Sequence, residues 1–161
     1  RALDVVRNYK GQFNETFLLN MHKTILQDIS QNFAGRYRES NVKIFGSNVT
    51  FPKAAYVPQK VKNLFFWYNK HKKELHPFEL AIIFSMKLVT IHPFVDGNGR
   101  VSRIMMNVLL QKAGYPWINV YNKHRSQYLK AVRKANDKEY KQIIEFLLKN
   151  LKENLKDFDI M

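Results

Sequence analysis

One stretch of this sequence brings together side chains suited to a single chemistry, His92-Pro93-Phe94-Val95-Asp96-Gly97-Asn98-Gly99-Arg100-Val101-Ser102-Arg103. Gly97 and Gly99 allow positive φ and let another group come close to the backbone. They stand where a helix is about to begin, so its free N–H groups and the positive end of its dipole make an anion site. Arg100 and Arg103, three apart, project from one side of the first turn. Guanidinium is the side chain best suited to bidentate phosphate contact. A carboxylate at Asp96 is out of place in such a cradle unless a cation comes too. One carboxylate plus substrate phosphates is the usual way a protein holds Mg²⁺. His92 stands at the other end of the loop and can accept a proton at working pH. A base, a metal carboxylate and a phosphate nest this close together suit phosphoryl or nucleotidyl transfer. Each residue alone has a plainer role: a helix-end histidine, an Asp-Gly turn, a solvated pair of arginines. Their joint spacing is what points to chemistry. The sequence holds no G-x-x-x-x-G-K-[ST], no H-E-x-x-H and no G-x-S-x-G.

Helices must position that loop. Leu18, Met21, Ile25 and Ile29 step by helical spacing and mark one apolar face. A second helix is expected from about Ala55 to Tyr68, with Pro58 in its first turn. A third begins at Pro77 and ends near Ile91, because Pro93 drives His92 out of the α region. Its residues are apolar nearly all round, which places it centrally. A fourth runs from Asn98 to Lys112, stopped by Gly114, and two more cover roughly 123–135 and 138–155. The exception is 41–51, where Val42, Ile44 and Phe45 form one β-like run and Val49 to Phe51 another. Gly46, Ser47 and Asn48 between them predict a short hairpin. The expected class is all-α with that one hairpin, in a single domain over 1–161.

The chain has 161 residues, the size of one domain. It lacks cysteine, which excludes disulfides, thiol nucleophiles and thiolate metal sites. No apolar run approaches the ~20 residues of a membrane span, so no membrane partner is expected. The net charge is +14, a field that attracts polyanions without choosing among them. The chain opens on Arg1 and shows no basic-then-apolar leader. It reads as a piece of a longer, cytoplasmic protein. Among the other tempting residues, His22 reads as a satisfied core or interface histidine. Phe65, Phe66, Trp67 and Tyr68 read as helix packing.

The loop resembles the Fic motif (filamentation induced by cAMP), H-x-F-x-[DE]-G-N-G-R-x-x-R, at every defined position. The resemblance extends over roughly 13–150. Leu75 to Ala113 is similar to the family's central helix, loop and next helix; Gly35 to Gly46, with Arg38, to its flap; and Arg125 to Asn136 to its adenine-side helix. It implies a Fic-type bundle of about six to eight helices with one β-hairpin flap. It also implies transfer of AMP from ATP, with Mg²⁺, to a hydroxyl of a target protein, with pyrophosphate released. On that basis His92 deprotonates the target hydroxyl and Asp96 holds Mg²⁺. Gly97, Asn98 and Gly99 bind phosphate through backbone N–H groups, Asn98 also through its side chain. Arg100 and Arg103 hold the phosphates, and Phe94 anchors the loop in the core. Tyr128 and Asn136 line the adenine pocket. Val42, Lys43, Ile44 and Phe45 form the flap that pairs with an extended target segment. Family members often dimerise, so a homodimer is among the expectations.

Many members carry an inhibitory helix of pattern [ST]-x-x-x-E-[GN]. No Ser or Thr here has Glu four residues on, so an upstream helix or a separate antitoxin chain is the expected source. Gly-Asn-Gly-Arg, in place of the Ala-Asn-Lys-Arg type of the Doc branch, favours AMP over phosphate transfer. The alternatives are another phosphate-centred reaction on this scaffold (phosphate, UMP or phosphocholine transfer, or AMP removal), or a basic module that binds nucleic acid or an acidic protein without catalysis. The last rests on net charge alone and predicts steeply salt-dependent binding that is indifferent to Asp96.

Overall fold

Six α-helices make up the described residues, 11–43 and 49–158, of the computed structural model. They are α1 (Glu15–Leu26), α2 (Val57–His71), α3 (Pro77–Ile91), α4 (Asn98–Lys112), α5 (Arg125–Asn136) and α6 (Lys141–Phe158), with 3₁₀ turns at Ala54–Tyr56 and Asn122–His124. Local chemistry sets their ends. Asn14 caps α1 by accepting the Phe17 N–H at 3.0 Å. Pro77 opens α3, and the His76 ring accepts the Phe78 N–H. Gly114, at φ 84°, stands just past α4.

The helix read as apolar nearly all round is central. α3 packs against α2, α4, α5 and α6, and Ala81, Ile82, Phe84 and Leu88 are wholly buried. Phe84 meets Phe13, Phe65 and Tyr68 ring to ring, at centroid distances of 5.0, 5.4 and 5.8 Å. Packing thus accounts for Phe65 and Tyr68, whereas Phe66 faces solvent. The Ser85 hydroxyl donates to the Ser102 carbonyl at 2.9 Å and fixes α3 against α4. These two helices carry the two ends of the loop at 92–97.

Two expectations are corrected or left open. Ile29 is 65% exposed and lies beyond α1. The N–H groups of Ile29 and Ser30 both turn back to the Leu26 carbonyl, which closes the helix before Ile29 can join its buried face. The expected hairpin falls largely on 44–48, outside the described residues, so Ile44 and Phe45 have no structural description. Val42, Lys43 and Val49 to Phe51 are not in strands. The two ends of the segment are nevertheless tied: Arg38 donates to the carbonyls of Ser40 and Pro52, and the Ala54 N–H to the Asn41 side chain. Among the described residues no helix is long and apolar enough to cross a membrane.

Candidate active site

His92 ends α3 in the left-handed region, at φ 51° and ψ 59°. Its Nδ1 lies 3.3 Å from the Val89 carbonyl, which can only accept, so the proton sits on Nδ1. Nε2 is left as a proton acceptor. The ring stacks on Phe51, centroids 4.1 Å apart. Burial pushes the His92 pKa below the ordinary 6.5, opposed by the Val89 bond and reinforced by the charge of Arg38. The imidazole is therefore neutral at physiological pH, the form a base needs.

Beyond it the chain turns through a loop held from inside. Phe94 is wholly buried. The Asn98 side chain accepts the Phe94 N–H at 2.9 Å and donates to the Phe94 carbonyl at 2.8 Å. The Asn98 side chain is buried and staples the loop through these two bonds. Gly97 caps α4 at φ 79°, and no side chain caps that helix start. A Cβ on Gly99 would sit 3.4 Å from an Arg103 guanidinium nitrogen, so glycine lets this arginine fold back over the helix start.

Asp96 is exposed. Its Oδ1 accepts the Gly97 N–H at 2.6 Å and its Oδ2 pairs with Arg100 at 2.9 Å. No cluster of three metal-ligating side chains occurs among the described residues. That donor set, one accessible carboxylate beside a phosphate nest, fits Mg²⁺ held mainly by substrate oxygens and water. When bound, the ion would neutralise phosphate charge.

Arg100 and Arg103 line one cavity of about 620 Å³, with Ile25 and Asp28 on one wall and Trp117 to Val120 on another. Asn107 holds the second wall through both backbone groups of Ile118. The expected adenine pair is divided. Asn136 lines a separate cavity of about 300 Å³ with Thr90 and Ile91, the two residues before His92. The Thr90 hydroxyl lies 2.8 Å from the Met86 carbonyl and 2.7 Å from the Asn136 amide oxygen. That contact uses one of the Asn136 amide's sites, so the amide keeps hydrogen-bonding capacity for a ligand. Tyr128 does not line that cavity. It is buried, packs on Phe146 at 5.9 Å and hydrogen-bonds Arg103.

Three contacts escaped sequence reasoning: the Val89 carbonyl that sets the His92 tautomer, Asn107 against Ile118, and the His22 ring at the Asp96 carbonyl. The first two carry no sequence signal. His22 did carry one, a histidine on the apolar face of α1, and its burial is as expected.

The Fic/DOC family pattern matches residues 12–110. A protein adenylyltransferase Fic of Drosophila virilis is 35% identical over 132 residues, covering 81% of this chain and 27% of that protein. The chain thus spans about a quarter of the length of such relatives. Among solved structures, Fic-1 (aa134 - 508) from C. elegans superposes with a TM-score of 0.88 at 24% identity, covering 98% of this chain and 48% of that one. The BepC protein of Bartonella tribocorum, solved with bound AMPPNP, gives 0.74 at 20% identity, covering 91% and 78%.

Proposed function

The chain belongs to the Fic/DOC family, and we propose that it is a protein adenylyltransferase that moves AMP from ATP to a hydroxyl of a target protein. The observation that carries the reading is the pairing of His92, its Nε2 left as acceptor, with an uncapped helix start five residues on. In the proposed step the target hydroxyl oxygen attacks the α-phosphorus and its proton passes to His92 Nε2. The bond from the α-phosphorus to the bridging oxygen breaks, and pyrophosphate leaves with the electron pair. The N–H groups of Gly97, Asn98 and Gly99, with Arg100 and Arg103, hold the phosphates where charge builds up. Asp96 takes the Mg²⁺. Asn136 faces the adenine, and Tyr128 serves the nucleotide through Arg103 in place of direct contact with the base. The segment Val42, Lys43, Ile44, Phe45 receives an extended stretch of the target. An inhibitory partner helix, upstream or on another chain, and a homodimer belong to the same proposal.

Labelled ATP tests it. Label in the α-phosphate should become covalently attached to protein in a Mg²⁺-dependent way, while label in the γ-phosphate should leave as pyrophosphate. Retention of the γ-label would overturn the reading in favour of phosphate transfer.

A further inference from the structure

His22 lies on α1, seventy-four positions from the loop residue it touches, and has no solvent exposure. Its Nδ1 accepts the Gly35 N–H at 3.0 Å. That nitrogen therefore carries no proton, and Nε2, 3.0 Å from the Asp96 carbonyl oxygen, must be the donor. The ring lies flat on Phe94, centroids 3.6 Å apart and planes 7° from parallel. It also underlies Gly97, where a Cβ would stand 3.4 Å from Nε2. One imidazole thus touches Gly35, Phe94, Asp96 and Gly97.

We propose that His22 is a positioning residue that locks the Asp96–Gly97 peptide in the orientation the phosphates require. A trans peptide is planar, with its C=O and N–H pointing opposite ways. Holding the Asp96 carbonyl inward on His22 turns the Gly97 N–H outward, to the side of the Asp96 carboxylate. Gly97, free to take either sign of φ, offers little resistance of its own to a flip of that peptide. Flipped, the peptide would present a carbonyl oxygen where an N–H should meet an anion. The Gly35 bond completes the device, because it fixes the tautomer that makes Nε2 a donor. Gly35 must come against α1 to do this, and a Cβ there would meet Lys23 Cβ at 3.1 Å and the Leu19 carbonyl at 3.2 Å. The segment leading to Arg38 and the anion loop are so joined through one side chain.

The inference rests on the proposed nucleotide site for its ligand readout, so the experiment has two arms. Three variants separate the contacts. His22→Gln keeps a donor at the Nε2 position, His22→Asn keeps an acceptor at the Nδ1 position, and His22→Phe keeps the stack on Phe94 alone. The first arm follows the Gly97 amide by NMR, in chemical shift and hydrogen exchange, without ligand. The second measures ATP binding with Mg²⁺ by calorimetry. The Gln variant should leave the Gly97 amide near its parental position and bind ATP within about threefold of the parent, while Asn and Phe should displace that amide and weaken binding about tenfold. A packing role alone would rank them otherwise, with Phe best and the two amides alike; that order overturns the proposal. If the parent itself fails to bind ATP, the nucleotide reading falls and the Gly97 amide alone decides the fate of the lock. Should Phe fail to fold, Gln against Asn gives the same decision: equal displacement of the Gly97 amide by both overturns it.

Discussion

Arg38 Nε donates to the carbonyl oxygen of His92 at 2.7 Å, across fifty-four positions of sequence. The same guanidinium reaches the carbonyls of Ser40 and Pro52, and the Arg38 N–H donates to the Pro93 carbonyl. A side chain only 2% exposed therefore ties both ends of the 41–51 segment to the residue proposed as base. Arg38→Met removes charged donors from three carbonyls and should cost at least about 3 kcal/mol of stability. It also removes the positive charge that helps hold the His92 pKa down, so the acid limb of activity should move up in pH. Arg38→Lys keeps the charge without the fork and should leave that limb in place while losing stability. Urea titrations and pH profiles of the two variants check this; a limb that moves equally in both would contradict it.

Burial is the largest influence on both His22 and His92, and it lowers both pKa values from the ordinary 6.5. The sign for stability follows from linkage. Below the ordinary value the unfolded chain binds protons at these rings that the folded chain refuses. Their contribution is thus complete above pH 6.5 and declines as pH falls through it. Urea midpoints should fall between about pH 7.5 and about pH 5. Activity, by contrast, should hold its acid limb below the ordinary histidine value, since His92 stays neutral there. A limb at or above 6.5 would contradict the direction given for His92.

Tyr128 is buried and shares a side-chain hydrogen bond with Arg103. Tyr128→Phe keeps the ring against Phe146 and removes only the hydroxyl. It should lower the rate at saturating ATP about threefold to tenfold, with little change in KM. Arg103→Ala should lower it further, and the double variant should match Arg103→Ala alone, because the hydroxyl acts through the guanidinium. Additive losses would mean that Tyr128 meets the nucleotide directly.

Gly97 and Gly114 both hold positive φ, at 79° and 84°. A Cβ at Gly97 meets His22 and Leu26 within 3.6 Å, whereas one at Gly114 meets nothing within 4 Å. Those distances at Gly97 are ordinary van der Waals contacts, so alanine at either position should cost chiefly left-handed strain, about 1 kcal/mol. Denaturant midpoints of the two single variants decide it; a markedly larger loss at Gly97 would contradict it and show that the contact with His22 costs as well.

Much of this architecture is legible in the amino-acid sequence. Pro77 and Pro93 bracket α3, and Gly114 follows α4, because proline and glycine act on the backbone locally. The apolar composition of α3 matches its central place. Ile29 misleads because periodicity has no knowledge of where a carbonyl will take a turn bond. The roles of Asn98, Tyr128 and His22 are hidden for a different reason. Each depends on which backbone group or side chain tertiary packing sets against it, and residue type and spacing do not encode that. Arg38 shows the same limit: its place just before the 41–51 segment is readable, its hold on His92 is not.

The central claim is that His92 serves as base for transfer of AMP. Intact mass after incubation with ATP and Mg²⁺ tests it most directly, beside a chelator control and His92→Ala. The predicted result is a gain of one AMP on the protein or on an added target, abolished by the chelator, with the rate in His92→Ala lower by about 10²–10⁴ and ATP binding retained. A gain of one phosphate in its place, or an AMP gain as fast in His92→Ala as in the parent, would contradict it.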